Sequence, residues 1–205
     1  ITALNASAHE RVMGLSDGNI GVSSWFNDAT EQEHAAYKGL PTTDRILTWA
    51  FGATRGDVAA CLVSKQMNYN GSRGSDGSLS FSIDSQATGV SLDWCETLTT
   101  GKETHSSAGS STSRDDSAAT SAGMVAYLEI TDCDSGTPTV TIQQSSDNGS
   151  GDAWATVLSF AAVGYASAPT AERVTVSGAV ERYLRITTTG TFSNLDFCVS
   201  TRRGT

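Results

Sequence analysis

Apolar and polar residues alternate with a period of two through most of this chain. In "SLSFSID", Leu79, Phe81 and Ile83 point one way and Ser78, Ser80, Ser82 and Asp84 the other, which predicts a strand with one buried and one wet face. "NIGVSSWF", "RILTWAF", "VAACLVSKQMNYN" and "VSLDWCETL" predict further strands in the first half. In the second half "MVAYLEIT", "TVTIQQS", "WATVLSF", "ERVTVS", "RYLRITT" and "FSNLDFCVS" are short strand patterns separated by turn residues, which predicts an antiparallel sandwich. Leu184 and Ile186 there oppose Tyr183, Arg185 and Thr187, and Leu195, Phe197 and Val199 repeat the pattern; with Trp154 they form the expected core. One helix is expected: Asn27 or Asp28 caps "ATEQEHAAYK", acidic residues fill its first turns, Lys38 sits at its end, and Gly39 and Pro41 stop it.

The periodicity breaks at "SSAGSSTSRDDSAATSAG", where all 18 positions are small or polar. Such a stretch lacks core-forming side chains, so residues 106–123 are expected to be a linker or long loop between a β domain over 1–105 and a C-terminal β-sandwich over 124–205. A second break, "SSDNGSGD" between two strands, has the acidic residues of a calcium loop but not its spacing. Counted from Asp147, position 12 is Leu158, where an EF-type loop needs Glu. Asp147, Asn148 and the glycines instead suit the positive φ of a hairpin turn, with Trp154 returning to the core beyond it.

Composition narrows the function. The 205 residues, 38% of them hydrophobic, suffice for a packed core. No run approaches the roughly 20 apolar residues of a bilayer span, so no membrane insertion is expected. The start, Ile1-Thr2-Ala3-Leu4, lacks an initiator Met, which suggests a beginning inside a longer product or after processing. A net charge of -9, spread over both halves, opposes nucleic-acid binding, which draws on a basic face. Cys61, Cys95, Cys133 and Cys198 form no C-x-x-C pair, so reduced, buried thiols are expected instead of a zinc or redox site.

No catalytic residue and no cofactor stands out. His9, His34 and His105 show no H-E-x-x-H spacing, and His34 reads as a solvated helix residue. No serine sits in a G-x-S-x-G frame, and Asp115-Asp116 fall in the stretch expected to be flexible. "GSRGSDGS" precedes a strand, not a helix, and reads as a long hairpin loop instead of a phosphate cradle. Arg202 and Arg203, near the C-terminus, read as solvated or at most in salt-bridge contact with an acidic neighbour.

Taken in order, "HERVMGLSDGNIGVSSWFNDATEQEH", "LPTTDRILTWAFG", "KQMNYNGSRGSDGSLSFSIDSQATG", "GVSLDWCETLTTGK", "VTIQQSSDNGSGDAWATV", "AERVTVSGAVERYLRI" and "TGTFSNLDFCVS" resemble the major tail (tail tube) protein of long-tailed bacteriophages, especially those of actinobacteria. The resemblance spans nearly the whole chain and rests on the order of the segments. It implies a tail-tube-like β-sandwich or barrel with one flanking α-helix, and an added immunoglobulin-like or carbohydrate-binding-like sandwich displayed outside the tube. It also implies stacked homohexameric rings around a DNA channel, contacts with other tail proteins, and residence in the virion after assembly in the host cytoplasm. Further sequence ahead of "SAHERVMGLSDG" is part of that family pattern, and with it part of the ring-forming sheet. An acidic wall would let DNA slide without adhering, and Asp84, with Asp17 and Asp76 beside neighbouring turns, is the expected channel-lining set. The alternative is a carbohydrate-binding module or adhesin, with Trp154, Tyr165 and Tyr183 as candidate glycan contacts. A β-sandwich hydrolase would need two fixed carboxylates in a cleft, and no such pair is marked.

Overall fold

The computed structural model describes residues 17–29, 34, 37–39 and 43–204. Their strands are β1 (Asn19–Trp25), β2 (Arg45–Ala50), β3 (Val58–Gln66), β4 (Asn70–Arg73), β5 (Leu79–Ala87), β6 (Asp93–Thr97), β7 (Glu103–His105), β8 (Gly109–Ser110) and β9 (Arg114–Asp115). They continue with β10 (Met124–Gly136), β11 (Thr139–Ser145), β12 (Ala155–Ser159), β13 (Thr170–Val176), β14 (Tyr183–Thr189) and β15 (Phe192–Arg203). Among the described residues a 10-stranded sheet runs β1-β5-β3-β6-β15-β10-β13, with β2 on β3, β4 on β5 and β7 on β15. A 5-stranded sheet runs β12-β11-β14-β8, with β9 on β14. Every strand pairing is antiparallel.

The large sheet curls so that β10 is covered on both faces. Met124, Ala126, Leu128 and Ile130 meet the second sheet in a core with Val140, Ile142, Leu184, Ile186, Leu195, Phe197 and Val199. Val125 and Tyr127, on the opposite face, pack on Ala59, Cys61 and Cys95, with Ile46 and Val63 closing in from β2 and β3. β13 comes alongside β2 without pairing to it. Double burial explains why "MVAYLEI" is almost continuously apolar where the other strands alternate. A bulge between Ile130 and Asp132 shifts the alternation by one residue and keeps Cys133 in the core.

All the strands expected in both halves form, and Leu184, Ile186, Leu195 and Phe197 are fully buried. Several other expectations are corrected. Residues 106–123 are mostly exposed, yet the stretch is no free linker: β8 and β9 pair with β14, and Arg114 is buried. The 10-stranded sheet also crosses this stretch, because β6 and β7 hydrogen-bond to β15. Small side chains suit two-residue edge strands that need no core of their own. The loop "GSRGSDGS" is shortened by β4, which pairs with β5 from Asn70↔Ser82 to Arg73↔Leu79. Most of the helix expected over 29–38 lies outside the described residues; His34 and Tyr37 are helical, and the Lys38 amide donates to the His34 carbonyl. His34 is no simple solvated residue: its ring packs on Phe26 and its Nδ1 lies 2.8 Å from the Tyr69 hydroxyl. His9 falls outside the described residues.

Candidate functional site

The register of β1, β4 and β5 separates two faces. Ile20, Val22, Phe81 and Ile83 lie on the inner one. Asn19, Gly21, Ser23, Asn70, Ser72, Ser80, Ser82, Asp84 and Gln86 share the outer one, a wet surface of mostly short polar side chains, with exposed Lys65 beside Gln86 and exposed Trp25 beside Ser80 at its end. Asp84 is exposed at its middle, where one carboxylate oxygen accepts from Asn68 Nδ2 at 2.6 Å and its own amide donates to Asn68 Oδ1 at 2.8 Å. Asp17 joins the same region by accepting from Gln86 Nε2 at 2.8 Å, and that bond holds its carboxyl below the usual range. Asp76 stands apart, in the β4–β5 turn, where it accepts from the Ser78 amide at 3.0 Å. The structure thus brings Asp84 and Asp17 to one face and gives Asp76 a turn-forming bond.

A second exposed surface was not legible in the sequence. Trp49 pairs across β3 with Ala60, and Ala60 with Trp94 on β6, so both indoles stand on one face of that wall. Phe51 continues the row, with ring centroids 4.6 Å from Trp49 and 6.0 Å from Trp94. The three rings are 57%, 55% and 59% exposed in chain order 49, 51, 94, and Val58 beside them is 48% exposed. The planes of Trp49 and Phe51 differ by only 29°, so these rings stack and each covers one face of the other, forming an exposed ridge with Trp94.

Two polar groups lie inside the protein. Asp93 accepts from the Tyr127 hydroxyl at 2.6 Å and from Arg202 Nε at 3.0 Å, while Arg173 Nε donates to the same hydroxyl at 2.9 Å. Arg202 and Arg203 therefore do not form a solvated tail; they belong to β15, where Arg203 pairs with Asp116. Nearby, burial raises the Glu129 carboxyl, whose Oε1 has no hydrogen-bond partner, and lifts the neighbouring Cys198 thiol to about 12. All four cysteines are free.

The other cluster joins Glu103, His105 and Ser111. Ser111 Oγ donates to Glu103 and lies 3.1 Å from His105 Nε2, which is itself 3.3 Å from Glu103. A serine–histidine–acid relay needs the carboxylate on the ring nitrogen facing away from the serine. Here that nitrogen, Nδ1, faces the Thr188 hydroxyl at 2.7 Å, so the cluster bonds β7 to β14 without activating the serine. Burial acts to raise the Glu103 carboxyl, but hydrogen bonds from His105 and Ser111 and the Arg55 guanidinium outweigh it and bring it to about 2. A carboxyl lowered from 4.5 to about 2 contributes stability that is complete above the higher value and lost as pH falls through the lower one. Thermal melts between pH 6 and pH 2 are therefore expected to show Glu103→Gln with a shallower acid loss than wild type; parallel curves would show that Glu103 is not among the groups responsible.

In the loop from Ser145 to Trp154, Asp147 accepts from the amides of Ser150, Gly151 and Asp152, as a turn-stapling carboxylate does. Gly149 has φ +79°, and an added Cβ would strike the Trp154 indole. Trp154 itself is corrected from core residue to half-buried cover: Arg185 lies over its ring at 4.3 Å, outside the sandwich. Tyr165 is 54% exposed, while Tyr183 is half-buried with Arg182 over its ring. These three do not form a mutual ring cluster among the described residues. Asp115 and Asp116, expected to be mobile, are each fixed by arginine, and among the described residues no three His, Cys, Asp or Glu side chains converge as a metal-binding group.

No family model, curated protein or solved structure matches the chain.

Proposed function

We propose that the chain is a structural subunit of a long-tailed phage's tail tube, stacked as homohexameric rings in the virion and conducting DNA without chemistry of its own. The observation that carries this reading is the polar outer face of β1, β4 and β5, on which Asp84 and Asp17 stand among serines, asparagine and glutamine. A wall that is apolar toward the protein and lined mostly by short polar and acidic groups toward a channel repels phosphate, and the lysine on that face, Lys65 beside Gln86, is paired with Asp44 at 2.6 Å. The chain's net charge of -9 adds to that repulsion. The order of the sequence segments, which resembles that of tail tube proteins, supplies the class. The second reading, a carbohydrate-binding module, draws on the exposed rings of Trp49, Phe51 and Trp94. Trp49 and Phe51 cover one face of each other, which leaves less open ring surface for a sugar to stack on.

Asp84→Lys tests the channel directly. Phage carrying it are expected to assemble tails but eject DNA more slowly, most strongly at low salt, where screening is weakest. Asp84→Asn is expected to fall between the variant and wild type. Ejection unchanged at every ionic strength would remove Asp84 from the channel, and failed ring formation would place it between subunits.

A further inference from the structure

Among the described residues the large sheet leaves two apolar patches exposed. One is the ridge of Trp49, Phe51 and Trp94 with Val58. The other is the far end of the β1–β5 strand pair, where Phe26 donates its amide to Leu79 and Trp25 pairs with Ser80. Trp25 is 70% exposed, Leu79 47% and Phe26 38%, so this tip is apolar on both of its faces. The register Ser64↔Ala87 carries β5 past the end of β3, while Ile20 and Val22 of β1 pack with Leu47, Ala60 and Leu62, so ridge and tip are two separate patches of one curled sheet. Both stay exposed within one chain.

We infer that the β1–β5 tip of one copy of this chain docks on the aromatic ridge of the next, a head-to-tail contact. The proposal rests on the self-assembly in the reading above and names the surfaces that carry it. The ridge offers about 400 Å² and the tip about 300 Å² of apolar surface, taking about 150–250 Å² per fully buried aromatic. Their sum is close to the apolar share of a standard interface of about 1,600 Å², which is somewhat over half. Charge also matches: Glu96, 57% exposed at its side chain though 3.9 Å from Arg114, stands opposite Val58 at the ridge, and exposed Arg73 stands opposite Leu79 at the tip. A head-to-tail contact uses two different patches, so it propagates and closes into a ring when the rotation allows. A ridge-to-ridge contact would stop at a dimer and set Glu96 against its own copy.

Sedimentation of the full chain and two variants tests this. Trp49→Ser with Trp94→Ser removes the ridge, and Trp25→Ser with Leu79→Ser removes the tip. Each variant alone is expected to bind its own kind at least about 30-fold more weakly than wild type, the size of a hot-spot loss. Mixed one to one, the two are expected to form a dimer and nothing larger, because one intact ridge then meets one intact tip. A tip variant that associates like wild type, a mixture that stays monomeric, or a wild-type chain that is monomeric throughout would overturn the proposal. The charge pair gives a check that spares the apolar surfaces: Glu96→Lys and Arg73→Glu are each expected to weaken association, and the double variant to restore it. No restoration would remove the pairing of these two ends. Binding of a soluble oligosaccharide that the ridge variant abolishes, without any self-association, would instead make the ridge a sugar site. Open filaments that depend on ridge and tip, but never close into rings, would keep this contact and sink the tail-tube reading.

Discussion

Asp116→Ala is expected to lower the unfolding free energy by about 3–5 kcal/mol, the range for removing one partner of a buried ion pair. Only 5% of its side chain is exposed, and it serves two arginines, accepting from Arg114 Nε at 2.5 Å and Arg203 Nε at 2.6 Å. Arg114 is 7% exposed and also donates to the carbonyls of Glu96 and Thr97 and to the Thr201 hydroxyl. Those neutral acceptors would remain after the substitution, as would Glu96 Oε2 3.9 Å from Arg114, but both guanidiniums would lose their close carboxylate, and that lost pairing inside the protein dominates the cost. Urea unfolding followed by far-ultraviolet circular dichroism measures it. A loss below about 1 kcal/mol would show that residues 106–123 peel away without consequence, as a linker would. In the structure the stretch instead ties β6, β14 and β15 together. A fragment of 124–205 would therefore lose the partners that β6 and β7 give β15 and that β8 and β9 give β14.

That stretch marks the boundary of what the sequence makes legible. Strands with a buried face are readable because burial imposes a period of two: alternation alone assigns Leu184 and Ile186, or Leu195 and Phe197, to a core. Edge strands such as β8 and β9 bury no apolar side chain, so their residues carry no periodic signal. The same limit hides the ridge. "RILTWAF" predicts a strand, but whether Trp49 and Phe51 face a core or solvent depends on what covers that face. Trp154 fails in the opposite sense: a large aromatic beside a strand reads as core, although its ring is covered by Arg185. The acidic face is partly readable: alternation puts Asp84 opposite Phe81 and Ile83, whereas the Asp17 contact with Gln86 spans 69 residues and requires the β1–β5 register.

Phe197→Ala is expected to cost about 3–5 kcal/mol, the usual loss for a fully buried aromatic. The ring is 0% exposed on β15, between β10 and β7, and it fills the space where the two sheets meet. His105 contributes to the size of the effect: its ring meets Phe197 edge-on at 5.1 Å and also holds the Ser111 and Thr188 hydroxyls. Truncation would open a cavity against this polar cluster and loosen the lid that β7 forms over the core. Phe197→Leu, which keeps most of the volume, is expected to lose less, while Phe51→Ala on the exposed ridge should change the stability of the monomer by less than about 0.5 kcal/mol. The four tryptophans lie outside the core, so circular dichroism is again the better probe of global unfolding. Equal losses from Phe197→Ala and Phe51→Ala would contradict the assignment of one ring to the core and the other to the exposed ridge.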